Sequence, residues 1–123
     1  GEVSKMTLAE VNNMMAEITQ RCGLTNYTYY QFADDSAPNL PYLIFYYPSS
    51  ANDGADNVVW QKINHLNIEL YTDNKDFAVE NAVESALNAA GLVFSRAESY
   101  IDADKMYMVV YTTEIILSEV NNG

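Results

Sequence analysis

The stretch Ile68–Leu87, IELYTDNKDFAVENAVESAL, decides the fold. It opens as a strand. Leu66, Ile68 and Leu70 share one side, and Asn67 and Glu69 take the other, which is the alternation of a half-buried β-strand. The pattern breaks at Asp73-Asn74-Lys75 and restarts with helical spacing at Asp76. Asp73 reads as the N-cap with Asp76 at N3. Phe77, Val79, Val83, Ala86, Leu87 and Ala90 form the expected buried stripe, and Asn81, Glu84 and Asn88 the wet side. Gly91 ends the helix. A long strand feeding a capped helix, in a chain with more strands on either side, predicts an α+β domain.

Upstream, the strand extends back to Val58. Pro48–Asn57 (PSSANDGADN) is polar and carries Asp-Gly turn chemistry. It forms the expected tip of a hairpin whose first arm is Tyr42–Tyr47 (YLIFYY), ended by Pro48. An arm over 58–72 would reach roughly 50 Å at about 3.3 Å per residue, against a domain of about 30 Å. The distal half is therefore expected to project beyond its own core. Lys62 and Asn64 fall on the side of Leu66 and break the apolar pattern near the tip. Projecting strands recruit partners through their unpaired edges.

Downstream, Leu92–Ile101 and Lys105–Leu117 read as two strands joined by the acidic turn Asp102–Asp104. At the other end, Thr7 and Glu10 have capping-box spacing. Leu8, Val11, Met14, Met15, Ile18 and Cys22 follow the helical period, and Gly23 stands at the C′ position. The first helix thus runs from Thr7 to Cys22. Tyr27–Phe32 reads as a strand and Ala33–Pro41 as a loop. The predicted order is α-β-β-β-α-β-β: a mixed, mainly antiparallel sheet with two helices on one face and a long projecting hairpin. Residues 1–123 make one domain, with 1–6 and 118–123 expected to fray.

Six basic residues stand against seventeen acidic ones, giving a net charge of −11. That balance opposes a wrapping contact with nucleic acid, which needs clustered Lys and Arg, and opposes anionic membrane surfaces. It serves solubility, and it would also keep passing DNA from sticking. With 123 residues the chain buries roughly two-thirds of its unfolded surface, enough for one core. No apolar run approaches the roughly 20 residues of a membrane span, and no signal peptide is expected. Cys22 is the single cysteine, so no internal disulfide forms.

Catalytic patterns are absent. His65 is the lone histidine, without a second nitrogen ligand or a thiol partner in sequence, and reads as a strand residue or interface contact. Cys22 lies on an apolar stripe and reads as a small buried hydrophobe. The acidic pairs Asp34/Asp35, Asp53/Asp56, Asp73/Asp76 and Asp102/Asp104 read as solvated loops and caps. NDGAD lacks the calcium ladder and closing glutamate of an EF-hand. No metal site and no cofactor are expected. Tyr29, Tyr30, Tyr42, Tyr46 and Tyr47 cluster around the first hairpin, as sheet packing or as a protein interface, where tyrosine is enriched.

The phrases LPYLIFYY, ADNVVW, IELYTDNKDFAVENAVESAL and SYIDADKMYMVVYTTEI together resemble the tail-completion (tail-terminator, or head–tail joining) proteins of long-tailed phages and prophages. The matching slots are Pro41-Tyr42, the tip Asn52–Asn57, Val58–Trp60, Leu70–Asp76, Glu80 and Glu84, and Tyr100–Tyr111, so the likeness covers Pro41–Ile116. The resemblance implies structural work and no enzyme activity. It implies a homo-oligomeric ring, commonly a hexamer, that stops tail-tube polymerisation and meets the head connector. The partners would then be the tube protein and connector proteins. The place would be the virion neck, after synthesis in the bacterial cytoplasm. A ring needs two complementary patches per subunit. One is expected on the hairpin, at Pro48, Ser49, Asn52, Asp53, Asp56, Asn57, Trp60, Lys62 and Asn64. The alternatives are another head–tail connector or minor capsid protein, and a small acidic ligand- or calcium-binding domain or enzyme.

Overall fold

The computed structural model describes residues 3–33, 36–48, 50–51 and 62–118. Among them run, in order, β1 (Ser4–Met6), α1 (Leu8–Arg21), β2 (Tyr27–Tyr29), β3 (Tyr42–Tyr46), β4 (Ser50–Ala51), β5 (Lys62–Thr72), α2 (Phe77–Ala89), β6 (Phe94–Ile101) and β7 (Met106–Leu117). This is the α+β layout that the sequence predicts, with two short strands added. β1 lies in the segment expected to fray, and β4 in the segment expected to form the hairpin tip.

β5 is the centre of the sheet. All of its residues pair antiparallel with β7, from Lys62↔Leu117 to Thr72↔Tyr107. Its other edge is shared by β3 and β4, which follow one another along it. β2 lies outside β3 in parallel. On the far side, β6 pairs antiparallel with β7, and β1 pairs with the end of β7 in parallel. The sheet is therefore mixed and mainly antiparallel.

Both helices cover the same face. Val11, Met14, Met15 and Ile18 from α1, and Val83, Ala86 and Leu87 from α2, join Leu43, Phe45, Leu66, Ile68, Leu70, Val109, Tyr111 and Ile115 in one core. Alternation dictates this, because successive strand side chains point to opposite faces. α1 begins with the predicted capping box. Thr7 Oγ1 accepts from Glu10 N–H at 3.0 Å, and Glu10 Oε1 accepts from Thr7 N–H at 2.9 Å. Gly23 and Gly91, just past the two helix ends, have φ of +75° and +80°, the left-handed conformation that glycine adopts without steric cost.

Four local expectations need correcting. The N-cap of α2 is Asp76, whose carboxylate accepts from Val79 N–H at 3.1 Å; Asp73 is an exposed residue before the cap. Phe77 is 68% exposed, since the helical period leaves it on the flank of the Val83/Leu87 stripe; its ring lies 4.9 Å below the Lys75 ammonium instead. Ala90 is exposed as well. The strand after α1 stops at Tyr29, because Tyr30 takes φ +70° and turns the chain.

The expected projecting arm lies only in part among the described residues, which resume at Lys62. From Lys62 onward every residue of β5 pairs with β7, and Ile63 and Asn64 pair also with β4. The remainder of the expected arm and tip lies outside the described residues.

Candidate interaction surface

Among the described residues no helix packs on the second face of the sheet, although Tyr42 and Ile44 on it are buried; its side chains follow from the strand registers. Tyr42, Tyr71, Met108 and Ser99 make one row across the sheet; Ile44, Glu69, Val110 and Ala97 make the next; Tyr46, Asn67, Thr112 and Ser95 the third. Aromatic rings border this face on the β3 side. Tyr30 packs edge-on against Tyr46 at 5.9 Å, Phe32 against Tyr42 at 5.0 Å, and Tyr42 tilts over Tyr71 at 5.3 Å.

Glu69 is the hub. Its Oε2 accepts from the Tyr46 hydroxyl at 2.7 Å, and its Oε1 from the Tyr71 hydroxyl at 2.6 Å. Such short O–H···O⁻ bonds are the strong, charge-assisted kind. Burial, reinforced by the hydrogen bond to Glu69, holds the Tyr71 hydroxyl well above the usual tyrosine pKa. Burial likewise raises that of Tyr46. The carboxylate thus fixes two aromatic rings in place and spends both oxygens on them. The result is a firm, amphipathic platform with tyrosine as its dominant side chain, the composition of a protein-contact surface.

The tyrosines divide between the faces. Tyr27 and Tyr29 lie on the helix side against Phe45, and Tyr29 also meets Tyr47. Burial pushes the Tyr47 hydroxyl up to about 12.

A second constellation sits where α2 meets β6 on the helix side. Glu80 is 3% exposed, on the same helical stripe as Val83 and Leu87. Its two oxygens take Lys75 Nζ at 2.6 Å and Arg96 Nη2 at 2.5 Å. Lys75 also reaches Glu98 at 2.7 Å, and Arg96 reaches Glu84 at 3.3 Å. The Tyr111 hydroxyl donates to Glu84 at 2.9 Å. Burial opposes the Lys75 charge, but the hydrogen bonds to Glu80 and Glu98 outweigh it and raise its pKa. The Lys75 bond in turn holds the Glu98 carboxyl below the usual range. Because the cationic groups and Glu98 keep water contact, this network ties β6 to α2 without stranding a charge. Sequence reasoning assigned no such role to Glu80; an acid at the i−3 position of a buried valine was the available signal.

Of the residues expected at a subunit interface, Pro48, Lys62 and Asn64 fall among the described residues. Pro48 is exposed between β3 and β4. Lys62 begins β5, opposite Leu117. Asn64 is 7% exposed and sits on the helix-side face, opposite Ile115. Ser49, Asn52, Asp53, Asp56, Asn57 and Trp60 lie outside the described residues, as do Asp34 and Asp35. Asp102 and Asp104 are exposed in the β6–β7 turn.

His65 Nε2 stands 4.0 Å from Glu114 Oε2 across the open face. Both border a cleft of about 460 Å³ at the seam between β1 and β6, with Ser4, Gly91, Phe94 and Thr112. Cys22 packs against the core, and burial raises its thiol pKa. Among the described residues no three His, Cys, Asp or Glu side chains are grouped to hold a metal ion. No described helix is long and apolar enough to cross a membrane. No family model and no curated protein matches the chain.

Proposed function

We propose that this protein is a structural subunit of phage morphogenesis: a tail terminator, or tail-completion protein, that forms a ring closing the tail tube and meeting the head connector. The observation that carries the reading is the open sheet face with its Glu69-clamped tyrosines. A broad, rigid, shallow surface whose central carboxylate is already consumed by neighbouring hydroxyls suits contact with another protein. The resemblance of Pro41–Ile116 to tail-completion proteins supplies the partner class. The net charge of −11 suits the wall of a passage through which DNA moves. In this reading the chain is no enzyme and needs no cofactor; its partners are copies of itself, the tube protein and the connector, and its place is the virion neck.

The test is tube assembly. Purified tail-tube protein polymerised with this protein is expected to give short tubes with one capped end. Tubes of undiminished length, with no protein at their ends, refute the reading. Rescue of assembly mutants then separates a terminator from another connector or minor capsid protein: a terminator restores tails of defined length, whereas a connector or capsid protein restores heads.

A further inference from the structure

β6 runs along an outer edge of the sheet. On its inner side it pairs with β7 throughout, and among the described residues no strand pairs with its outer side. Every residue from Ser95 to Tyr100 is exposed. An eight-residue edge of this kind is a template for another strand.

Its sequence has a symmetry that the ladder makes meaningful. Val93–Ile101 reads VFSRAESYI. Outward from Ala97, the chemical types mirror one another: Arg96 against Glu98, Ser95 against Ser99, Phe94 against Tyr100, Val93 against Ile101. Two copies laid antiparallel about a two-fold axis at Ala97 would therefore match at every position. Arg96 would face the partner's Glu98 and Glu98 the partner's Arg96. Phe94 would face the partner's Tyr100, and the two Ala97 residues would meet at the axis. Opposite charges and aromatic pairs placed directly across strands are the favourable cross-strand combinations. A two-fold interface requires this self-complementarity, in which residue i meets j and j meets i.

The side chains are already disposed for it. Phe94, Arg96, Glu98 and Tyr100 share the helix side of β6, while Ser95, Ala97 and Ser99 share the open side. Val93 is 80% exposed and Tyr100 49%, apolar surface near either end of the strip. The chain as a whole is strongly acidic, yet on this edge the charges are already paired: Arg96 and Lys75 meet Glu80, Glu84 and Glu98, so two copies can approach here with little net repulsion.

We propose that a second copy of this chain pairs with β6 edge to edge, antiparallel about Ala97, extending the sheet across a two-fold dimer. This dimer is independent of the terminator reading, since a ring closes through unlike patches and this contact uses one patch twice.

Cysteine cross-linking tests the register directly. In a Cys22→Ala background, single cysteines replace Ala97, Ser95 or Ser99, all exposed and small, and a thermal melt checks that each variant is folded. The protein is treated with a mild oxidant or a short bis-maleimide at moderate salt, where acidic repulsion is screened. Ala97→Cys is expected to give a dimer in high yield. Ser95→Cys and Ser99→Cys alone are expected to give little, and their equimolar mixture to recover the dimer, since each faces the other across the axis. Light scattering of the unmodified protein is expected to rise with concentration toward twice 13.8 kDa or an even multiple of it. Equal cross-linking at all three positions, or none at 97, overturns the proposal. So does a mass that stays at one subunit across the series.

Discussion

Arg96 Nη2 lies 2.5 Å from Oε1 of Glu80, joining an exposed edge strand to the one acidic side chain of α2 that is buried against the sheet. Two amphipathic elements that share little apolar contact are held by a charge pair instead. Breaking such a pair by removing one partner is costly, because the other charge keeps its desolvation and loses its compensation.

Glu80→Gln is therefore expected to destabilise the fold by about 2–3 kcal/mol, less than a fully buried pair would lose, since Lys75 and Arg96 keep water contact. Urea unfolding is the measurement. The midpoint should fall with the m-value unchanged. A change below about 0.5 kcal/mol, the size of an ordinary surface substitution, would show that the network is incidental.

Glu69 makes a second, coupled prediction. Tyr46→Phe and Tyr71→Phe each remove one hydroxyl from the carboxylate and should cost about 1–2 kcal/mol. Together they leave a half-buried carboxylate without either tyrosine donor. The double variant should lose more than the sum by about 0.5–1 kcal/mol, the coupling expected of residues in one network. Strict additivity in the four-way cycle would contradict the clamp.

The Tyr47 hydroxyl predicts behaviour in alkali. Its pKa is raised by burial from the ordinary 10.0 to about 12, so the folded state holds this proton more tightly than the unfolded chain. Its contribution is complete below pH 10 and is lost as pH rises toward 12. Between those values stability should decline, and Tyr47→Phe should make the decline shallower. Denaturant midpoints at stepped pH, with tyrosinate absorbance followed alongside, supply the measurement. Identical slopes for the two proteins would exclude a Tyr47 contribution.

The acid side carries the opposite sign. Glu98 has its pKa lowered in the fold, chiefly by the Lys75 hydrogen bond. Its contribution is present above the ordinary value of 4.5 and is lost as pH falls through the lowered one. Glu98→Gln should flatten the acid limb of the stability curve by removing that contribution at neutral pH, a small loss because the side chain is 37% exposed, read from urea midpoints at stepped pH.

At the first helix, Thr7→Ala removes the acceptor for Glu10 N–H and should cost about 1 kcal/mol, read as a lower thermal midpoint. Thr7→Ser should restore most of it, because the hydroxyl is the active group.

Much of this fold was legible in the chain. The capping box at Thr7 and Glu10, the Leu66/Ile68/Leu70 face and the two terminal glycines are local signals, and local physics produced them. What escaped was non-local. Ser4–Met6 is three residues long and becomes a strand because β7 offers it an edge. Asn64 was expected to break the apolar side of β5, and the neighbouring strands bury it there all the same. Glu80 has the polarity of a surface residue, and only the arrival of Lys75 and Arg96 from outside the helix makes its burial affordable. Phe77 shows the converse, an apolar residue left in water once Glu80 has taken the inward direction. At the candidate surface the tyrosine cluster was visible beforehand, but its division between two faces and its Glu69 hub required the strand registers.

The parallel seating of β1 on the end of β7 sets an order of events during synthesis. Ser4–Met6 is synthesised more than a hundred residues before its partner Ile115–Leu117. Until then β1 has no edge to join. β7 is also the sole strand that joins β5 to β6 among the described residues. The seating of β1 and the join between β5 and β6 therefore both wait on β7, so the sheet closes through contacts distant in sequence, the slow kind to form.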